Sequence, residues 1–262
     1  MMALSARFSW FWCGIVLVTG LYLAFLLALI VSTATYTTAG HLWAELRSGN
    51  IRFSIGLSLV SATTSALLAL FLAVPAGYLL SRTRFPGKTW LEAMLDIPIV
   101  LPPTVVGLCL LVFFQTPAGQ MIERFISFTY TAAGVVLAQF VVSAAFAVRV
   151  MHGVFDHLSA RPEEVAMTLG CSRGRAVWLV TLPAAKRGIF AAFSLAWGRS
   201  LGEFGPVLVF AGIIRRKTEV LSTSIYLEYT SGHLEAAVAV SLLMVALAML
   251  VLVAVRTAGE KV

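Results

Sequence analysis

Long runs of apolar residues without a single charge constrain this chain more than any other feature of its sequence. A helix needs about 20 consecutive apolar residues to cross the hydrocarbon core of a bilayer. Such runs occur at residues 10–31, 53–80, 97–115, 125–148 and 236–255, and a further run, 188–214, carries only Arg199 and Glu203. We therefore predict an all-α integral membrane protein with six transmembrane helices at about these positions, forming a single domain over residues 1–262.

The composition agrees with a membrane location. Apolar residues make up 60% of the chain and charged residues only 12%, whereas about a quarter of the residues in a soluble domain are charged. The first run follows Arg7 and precedes the weakly cleavage-like Ser32-Thr33-Ala34, so a signal peptide is the alternative interpretation. Its apolar stretch is longer than the roughly 7–15 residues of a signal peptide, and we interpret it as a retained helix.

The distribution of Lys and Arg predicts the orientation in the membrane. If the N-terminus is cytoplasmic, most of these residues fall in inner segments, above all in the long segment 149–187. The positive-inside rule then places both termini in the cytoplasm. This asymmetry accounts for the net charge of +7, which therefore requires no nucleic-acid partner.

Segment 149–187 has the pattern of ordered structure rather than of a simple connection. Pro162-Glu163-Glu164 is typical of a helix start, because proline fits the first turn and carboxylates favour the positive end of the helix dipole. Gly170 is placed to stop that helix in a left-handed conformation. Ser172 can cap a second short helix, which we predict to end at Leu182-Pro183.

The same segment carries a spaced motif. Glu164, Ala166 and Gly170 are followed, at fixed offsets, by Val180 and Leu182-Pro183. This spacing resembles the EAA motif of the permeases of ATP-binding-cassette importers, with Val165 in place of one alanine as the single departure. Further segments resemble the molybdate, tungstate and sulfate permeases of that family, namely residues 79–88, 96–107, 201–205 and 211–212.

The resemblance implies the type I ABC importer fold and a set of partners. It implies a cytoplasmic ATPase dimer, an external substrate-binding protein and a second copy of this chain, assembled in the inner membrane of the cell. The cargo would be a tetrahedral oxyanion, with molybdate or tungstate ahead of sulfate or thiosulfate. In this family the segment with the motif forms coupling helices that dock on the ATPase, whose closure switches access from outside to inside.

Carried over to this chain, the ATPase-coupling residues lie on the first predicted helix and at the end of the second. They are Glu163, Glu164, Val165, Ala166, Leu169, Gly170, Leu182 and Pro183. A coupling helix must be short, rigid and capped, with an apolar contact face and an orienting charge. Val165, Ala166 and Leu169 can supply that face and Glu164 the charge, while Gly170 permits a bend and a close approach.

Arg199 and Glu203 are candidates for the translocation pathway, because charges are costly inside a membrane. Their i, i+4 spacing places them on one helix face, so they form either a structural ion pair or a gate element that meets the anion. Pro102, Pro103 and Thr104 are further candidates. The prolines either kink the third span and shape the pore, or mark ordinary re-entry geometry.

Arg215, Arg216 and Lys217 follow the fifth span at the predicted outer surface. They can dock the substrate-binding protein or raise the local concentration of an anion. The sequence departs here from the oxyanion permeases, which more often have Asn and a Pro-Gly turn. This departure bears on the cargo more than on the family.

Two other function classes are open to a chain of this kind. A membrane-embedded enzyme would need a catalytic motif, yet the sequence has no His-Glu-x-x-His, Gly-x-Ser-x-Gly or phosphate-binding Gly-x-x-x-x-Gly-Lys. We therefore expect a transporter subunit without catalytic residues, metal or cofactor, whose ATP is hydrolysed by a separate partner. An ion-coupled secondary transporter is the alternative, although such proteins usually carry charges in several spans and this chain only in the fifth.

Overall fold

The computed structural model describes residues 10–260, and within that range it consists of helices and the turns between them. The predicted all-α class is confirmed. Arg7 and Lys261, which contribute to the predicted charge asymmetry, lie outside the described residues. In chain order the helices are α1 (Trp10–Thr35), α2 (Ala39–Arg47), α3 (Gly49–Arg82), α4 (Lys88–Val100), α5 (Pro103–Gln115), α6 (Pro117–Glu123), α7 (Ala132–His157), α8 (Arg161–Thr168), α9 (Arg173–Ala176), a first π-helical turn (Val177–Thr181), α10 (Leu182–Ala184), α11 (Lys186–Leu201), a second π-helical turn (Val207–Ala211), α12 (Leu221–Thr230) and α13 (Leu234–Glu260).

The membrane-spanning helices are of two kinds. Four of the described helices, α1, α3, α7 and α13, are long and apolar enough to cross a bilayer alone. Two helix pairs with a sharp bend are further candidates, each either a broken span or a re-entrant loop: α4 and α5 meet at 111°, and Arg173–Ala184 meets α11 at 72°. The structure therefore accommodates six crossings if each bent pair is one span.

The third and fourth spans differ from their predicted limits. The third, predicted at 97–115, is broken between α4 and α5, because Pro102 and Pro103 disfavour a helical conformation in the residues before them. Pro98, in contrast, lies within α4. The fourth, predicted at 125–148, is helical only from Ala132 and continues to His157. The Thr131 hydroxyl caps it by accepting a hydrogen bond from the Gly134 amide at 3.3 Å, a start signal that hydropathy does not report.

The fifth span is also shorter than the predicted 188–214, and a helix follows it that the sequence did not predict. α11 ends at Leu201, and a turn leads to the second π-helical turn. The unpredicted helix is α12, whose first turn is fully buried although it is rich in Ser and Thr. Its polar groups are satisfied internally: the Leu221 amide donates to Ser58 Oγ at 2.8 Å, and Ser222 Oγ donates to the Glu203 carbonyl at 2.8 Å.

The core of the bundle is formed by α3, α7 and α11, which pack through small residues. On α3 the buried face is a stripe of alanines at helical spacing, Ala62, Ala66, Ala69 and Ala73. Close to its end, a methyl group added at Gly77 would come within 2.8 Å of Met151 Cβ on α7. Small residues allow helix backbones to approach closely in a bilayer, where burial from water provides no driving force.

Candidate functional site

The segment between α7 and α11 folds as the motif predicted. Pro162 lies in the first turn of α8, with Glu163 and Glu164 beside it at the positive end of the helix dipole. Gly170 has a φ of +93°, so it ends the helix in the left-handed region that glycine favours. Its amide donates to the Met167 carbonyl at 3.0 Å, and the Cys171 amide donates to the Ala166 carbonyl at 3.1 Å. The predicted helix start and glycine stop are both confirmed.

Glu163 is an internal anchor of this loop and not a surface contact. Only 6% of the residue is exposed. Its carboxylate accepts a hydrogen bond of 2.5 Å from the Tyr78 hydroxyl on α3 and one of 2.9 Å from the Thr181 hydroxyl on the first π-helical turn. Within the described residues Glu163 therefore ties α8 to the bundle and does not lie on the exposed face of that helix.

The remaining predicted coupling residues of α8 lie at the surface. Glu164, Val165 and Gly170 are exposed, Ala166 is half-buried, and Leu169 is 81% exposed. The predicted apolar face is therefore present and uncovered in the single chain. Sequence reasoning did not find Tyr78 and Thr181, because they are distant from Glu163 along the chain and no motif links them to it.

The sequence predicted that the second helix of the loop ends at Leu182-Pro183, and the structure differs slightly. The helix passes through both residues to Ala184, and the bend toward α11 comes at Ala185. The first π-helical turn precedes them, and a wider turn of this kind frees the backbone that a proline would otherwise obstruct. Leu182 is half-buried and packs against the main core, whereas Pro183 is exposed.

Arg199 and Glu203 form an ion pair, with 2.9 Å between Arg199 Nη1 and Glu203 Oε2. They do not share one continuous helix, because α11 ends at Leu201 and Glu203 lies in the turn beyond it. Glu203 is 1% exposed, whereas Arg199 is partly exposed and lies over the ring of Phe146, 5.7 Å from its centroid. The arginine therefore neutralises a buried carboxylate and still has access to the protein surface.

The other pathway candidates lie against the same turn. A methyl group added at Gly205 would come within 2.9 Å of both Pro103 Cβ and the Thr104 amide nitrogen. Pro102, Pro103 and Thr104 are exposed where α5 begins. The structure thus brings the broken third span against the residues that follow the fifth. A methyl group added at Gly107 would likewise come within 2.8 Å of Pro206 Cα, so the two segments are in close contact at both glycines.

The basic residues predicted to lie at the outer surface, Arg215, Arg216 and Lys217, occupy an exposed turn between the second π-helical turn and α12. Arg215 is paired, since its Nη2 lies 2.8 Å from Glu228 Oε1, and the other oxygen of Glu228 lies 3.0 Å from His233 Nδ1. Arg216 and Lys217 are exposed beside it. Among the described residues no group of three or more His, Cys, Asp or Glu side chains is arranged to hold a metal ion.

A family of known proteins matches most of this chain. Residues 69–259 match the family described as binding-protein-dependent transport system inner membrane component. That stretch includes the bent third span, the loop with α8 and the ion pair of Arg199 and Glu203.

Several permeases are similar over three quarters or more of this chain. The sulfate transport system permease protein CysT of Escherichia coli is 33% identical over 88% of this chain and 84% of its own length. The molybdenum transport system permease protein ModB of Mycobacterium tuberculosis is 37% identical over 86% of both chains. The molybdate/tungstate transport system permease protein WtpB of Thermococcus kodakarensis is 36% identical over 76% of this chain and 75% of its own.

The fold also matches a solved structure at lower sequence identity. A chain of a bacterial ABC transporter involved in the import of the acidic polysaccharide alginate superimposes with a TM-score of 0.77 over 97% of this chain and 96% of that one. The two sequences are 15% identical, so the match concerns the arrangement of the helices.

Proposed function

This chain belongs to the family of binding-protein-dependent transport system inner membrane components, the permeases of ATP-binding-cassette importers, and we propose that it carries a tetrahedral oxyanion inward. Permeases of this family span the membrane and hydrolyse no ATP themselves. The cargo proposed first is molybdate or tungstate, because relatives named for these anions are 36% and 37% identical to the chain. Sulfate or thiosulfate is the second candidate, supported by the 33% identity to a sulfate permease.

The observation that carries this proposal is the separation of roles within α8. One acidic residue, Glu163, is buried and hydrogen-bonded to α3, while Glu164, Val165 and Leu169 point away from the bundle. In the proposed mechanism a cytoplasmic ATPase dimer binds this exposed face. Closure of the ATPase on ATP then pulls α8, and Glu163 transmits the movement to α3.

Transmission of this kind requires a stiff connection between the two elements. Coupling between sites needs one structural element whose two arrangements both sites bias. A carboxylate held by two hydroxyl donors fixes α8 at its N-terminal end, and the guanidinium of Arg82 adds a hydrogen bond of 2.9 Å to the Leu158 carbonyl just before α8. The loop therefore moves with the end of α3, not independently of it.

The proposed assembly contains two copies of this chain, two ATPase subunits and an external substrate-binding protein. Two copies would place twelve spans around one central path, with both termini of each copy in the cytoplasm. Support comes from α1, whose described apolar side chains are nearly all exposed in the single chain. Such a surface suits lipid or a second copy, and it has no place in water.

The path itself is proposed to pass the junction of the third and fifth spans. Pro103 and Thr104, next to Pro102, contact Gly205 there, and Glu203, the partner of Arg199, lies two residues before that glycine. The ion pair is primarily structural in this proposal, since an uncompensated Glu203 would repel an anion. On the outer side, Arg216 and Lys217 are proposed to dock the binding protein, because Arg215 is already paired with Glu228.

Reconstituted uptake tests the proposal. Proteoliposomes would hold this chain and its co-encoded ATPase, with ATP inside and the binding protein with radiolabelled molybdate, tungstate or sulfate outside. ATP-dependent uptake of molybdate or tungstate, lost when the ATPase is omitted, is the expected result. Hydrolysis of ATP without entry of any of the three anions would contradict the proposed cargo and leave the membership of the importer family unaffected.

A secondary carrier is separated from an ATP-coupled importer by the same vesicles. An ion gradient with ionophore controls, in the absence of ATP, would drive uptake by a secondary carrier and not by the proposed importer. Failure of the ATPase to co-purify with this chain would remove the coupling proposal as well.

A further inference from the structure

The stretch that joins α8 to α11 is strongly basic. Between Glu164 and Glu203 the sequence has no acidic residue, yet it contains Arg173, Arg175, Lys186 and Arg187, besides Arg199 of the ion pair. No ion pair is formed by Arg175, Lys186 or Arg187 anywhere in residues 10–260. These three side chains therefore stabilise no other part of the described chain through a salt bridge.

The π-helical turn gives this stretch two distinct faces. Ala176, Thr181 and Ala185 are buried at spacings of five and four residues, which correspond to one π turn followed by one α turn. Trp178 and Leu179 lie between these positions and face outward, and Trp178 is 72% exposed. A regular α-helix with the same residues would rotate Thr181 away from the buried side, so the wider turn is what keeps the apolar pair at the surface.

The orientation of this stretch relative to the bundle is fixed by its bend. Residues Arg173–Ala184 meet α11 at 72° with a break of a single residue, Ala185. When α11 crosses the membrane, this stretch lies nearly in the plane of the membrane surface. Arg175 then flanks Trp178 and Leu179 on one side, and Lys186 and Arg187 flank them on the other.

We propose that the exposed face of Arg175, Trp178, Leu179 and Lys186 binds anionic phospholipid headgroups at the inner surface of the membrane. Tryptophan is enriched at the membrane–water interface, where its apolar ring and polar N–H are both accommodated. Arginine and lysine close to that surface attract anionic lipids and bind their phosphate oxygens. The lipid would hold the loop beside α8 at a constant depth while α8 is pulled.

The location of the face favours lipid over a protein partner. The face proposed to contact the ATPase lies on α8. The basic face, in contrast, extends to Lys186, the first residue of the spanning helix α11. Its aromatic and aliphatic side chains are at the level where α11 leaves the bilayer. The proposal concerns the position of the loop in the membrane and is independent of the cargo.

Native mass spectrometry of the full chain in detergent, titrated with phosphatidylglycerol or phosphatidylcholine of equal acyl chains, tests this proposal. The wild type is expected to retain phosphatidylglycerol preferentially. Arg175→Gln with Lys186→Gln should weaken that binding about fivefold for each charge removed. Arg216→Gln with Lys217→Gln is the comparison variant, because it removes one arginine and one lysine from the exposed turn before α12, and it should weaken the binding less than the inner double variant does.

A second measurement needs no charge variant. Dibrominated phosphatidylglycerol should quench tryptophan fluorescence of the wild type more than that of Trp178→Phe, and dibrominated phosphatidylcholine should reveal a smaller difference. Equal retention of phosphatidylglycerol by the wild type and the inner double variant would overturn the proposal. So would unchanged lipid binding accompanied by reduced co-purification of the ATPase, which would assign this face to the ATPase.

Discussion

The Tyr78 hydroxyl donates a 2.5 Å hydrogen bond to the Glu163 carboxylate and thereby joins the end of α3 to the start of α8. The two residues belong to different elements, and one of them is on the helix that carries the EAA-like motif. Because Glu163 is nearly fully buried, this contact is protected from competing water. Together with the hydrogen bond from Thr181, it joins α8 to the bundle.

Removal of this link should uncouple ATP hydrolysis from transport. Tyr78→Phe leaves a buried carboxylate with one donor fewer, and the loss of a hydrogen bond to a charged group costs on the order of 2 kcal/mol. We expect the ATPase to bind and hydrolyse ATP with this variant while anion uptake per ATP falls severalfold. The measurement is the ratio of uptake to hydrolysis in proteoliposomes.

Comparison with neighbouring variants separates positioning from general instability. Thr181→Val removes the second donor and should lower the same ratio, and Glu163→Ala should lower it most. Thr168→Ala is the control for folding of α8, because Thr168 is exposed on the same helix and its hydroxyl donates to the Val165 carbonyl within that helix. A loss of uptake and hydrolysis in equal proportion in Tyr78→Phe would argue against a positioning role.

The exposed Glu164 is expected to act at the partner surface instead. Glu164→Arg reverses the charge on the proposed ATPase-binding face and should abolish uptake. Expression and membrane insertion should stay normal, because the Glu164 side chain is exposed and has no hydrogen bond or ion pair with the residues that the structure describes. Co-purification of the ATPase is the direct measurement. Normal uptake by Glu164→Arg would refute the assignment of this face.

The sequence predicted the local features of α8, but not its tertiary contacts. Pro162 and Gly170 act through the backbone of their own neighbours, so their positions could be inferred from residue type alone. Whether Glu163 or Glu164 is buried depends on Tyr78 and Thr181, which reach it from other elements. A single sequence contains no signal for such a contact.

The backbone at Gly170 provides a graded test of the rigidity of the loop. At a φ of +93° an L side chain is strained, although a Cβ would meet no atom within 4 Å. Gly170→Asn should therefore retain much of the uptake, since asparagine tolerates left-handed backbone better than other side chains. Gly170→Pro should abolish uptake, because proline cannot adopt this φ and removes the amide that donates to Met167.

Uptake at the wild-type level by both Gly170 variants would mean that the conformation of this turn does not matter for transport. Thermal unfolding of the purified chain should distinguish the two in the same order. A low melting temperature for Gly170→Pro alone is expected, and a reversed order would contradict the backbone explanation.

The parts of the fold that hydropathy does not predict depend on helix-ending residues and on hydrogen bonds inside the bundle. Hydropathy favoured one continuous fifth span, but Gly202 and Pro206 end α11 early and lead into a π-helical turn. Hydropathy gives no signal for α12, because Ser222, Thr223 and Ser224 in its first turn are polar. In the structure these hydroxyls are buried and hydrogen-bonded, and Ser224 Oγ lies 3.1 Å from Ser54 Oγ on α3.

A carboxylate outside the spanning helices should make the stability depend on pH. Burial alone would raise the pKa of Glu123, but hydrogen bonds from the Thr129 hydroxyl and amide and from the Phe128 amide favour the ionised form, and the pKa is lowered from its ordinary 4.5. A group whose pKa is lowered by folding stabilises the native state above its unfolded pKa. That contribution is lost as the pH falls through the folded value.

Glu123→Gln tests this dependence. At pH 7 the variant should unfold at a lower temperature than the wild type, and the difference should shrink as the pH is lowered below about 4.5, the ordinary value. Glu45→Gln on α2 serves as the control, because Glu45 is a half-buried glutamate without these hydrogen bonds. A gap that stayed constant down to pH 3 would mean that the carboxylate does not hold residues 124–131 in this way.

The ion pair of Arg199 and Glu203 allows a structural role to be separated from a role in the pathway. Arg199→Met leaves Glu203 buried without a counter-charge, a change that costs on the order of 3 kcal/mol when one partner of a buried pair is removed. Addition of Glu203→Gln to that variant should restore most of the lost thermal stability, because no charge then remains buried. If the pair is structural, anion uptake recovers together with stability in the double variant. If Arg199 meets the anion in the pathway, the double variant is stable and binds the ATPase, yet its uptake stays low and its apparent KM for the anion rises.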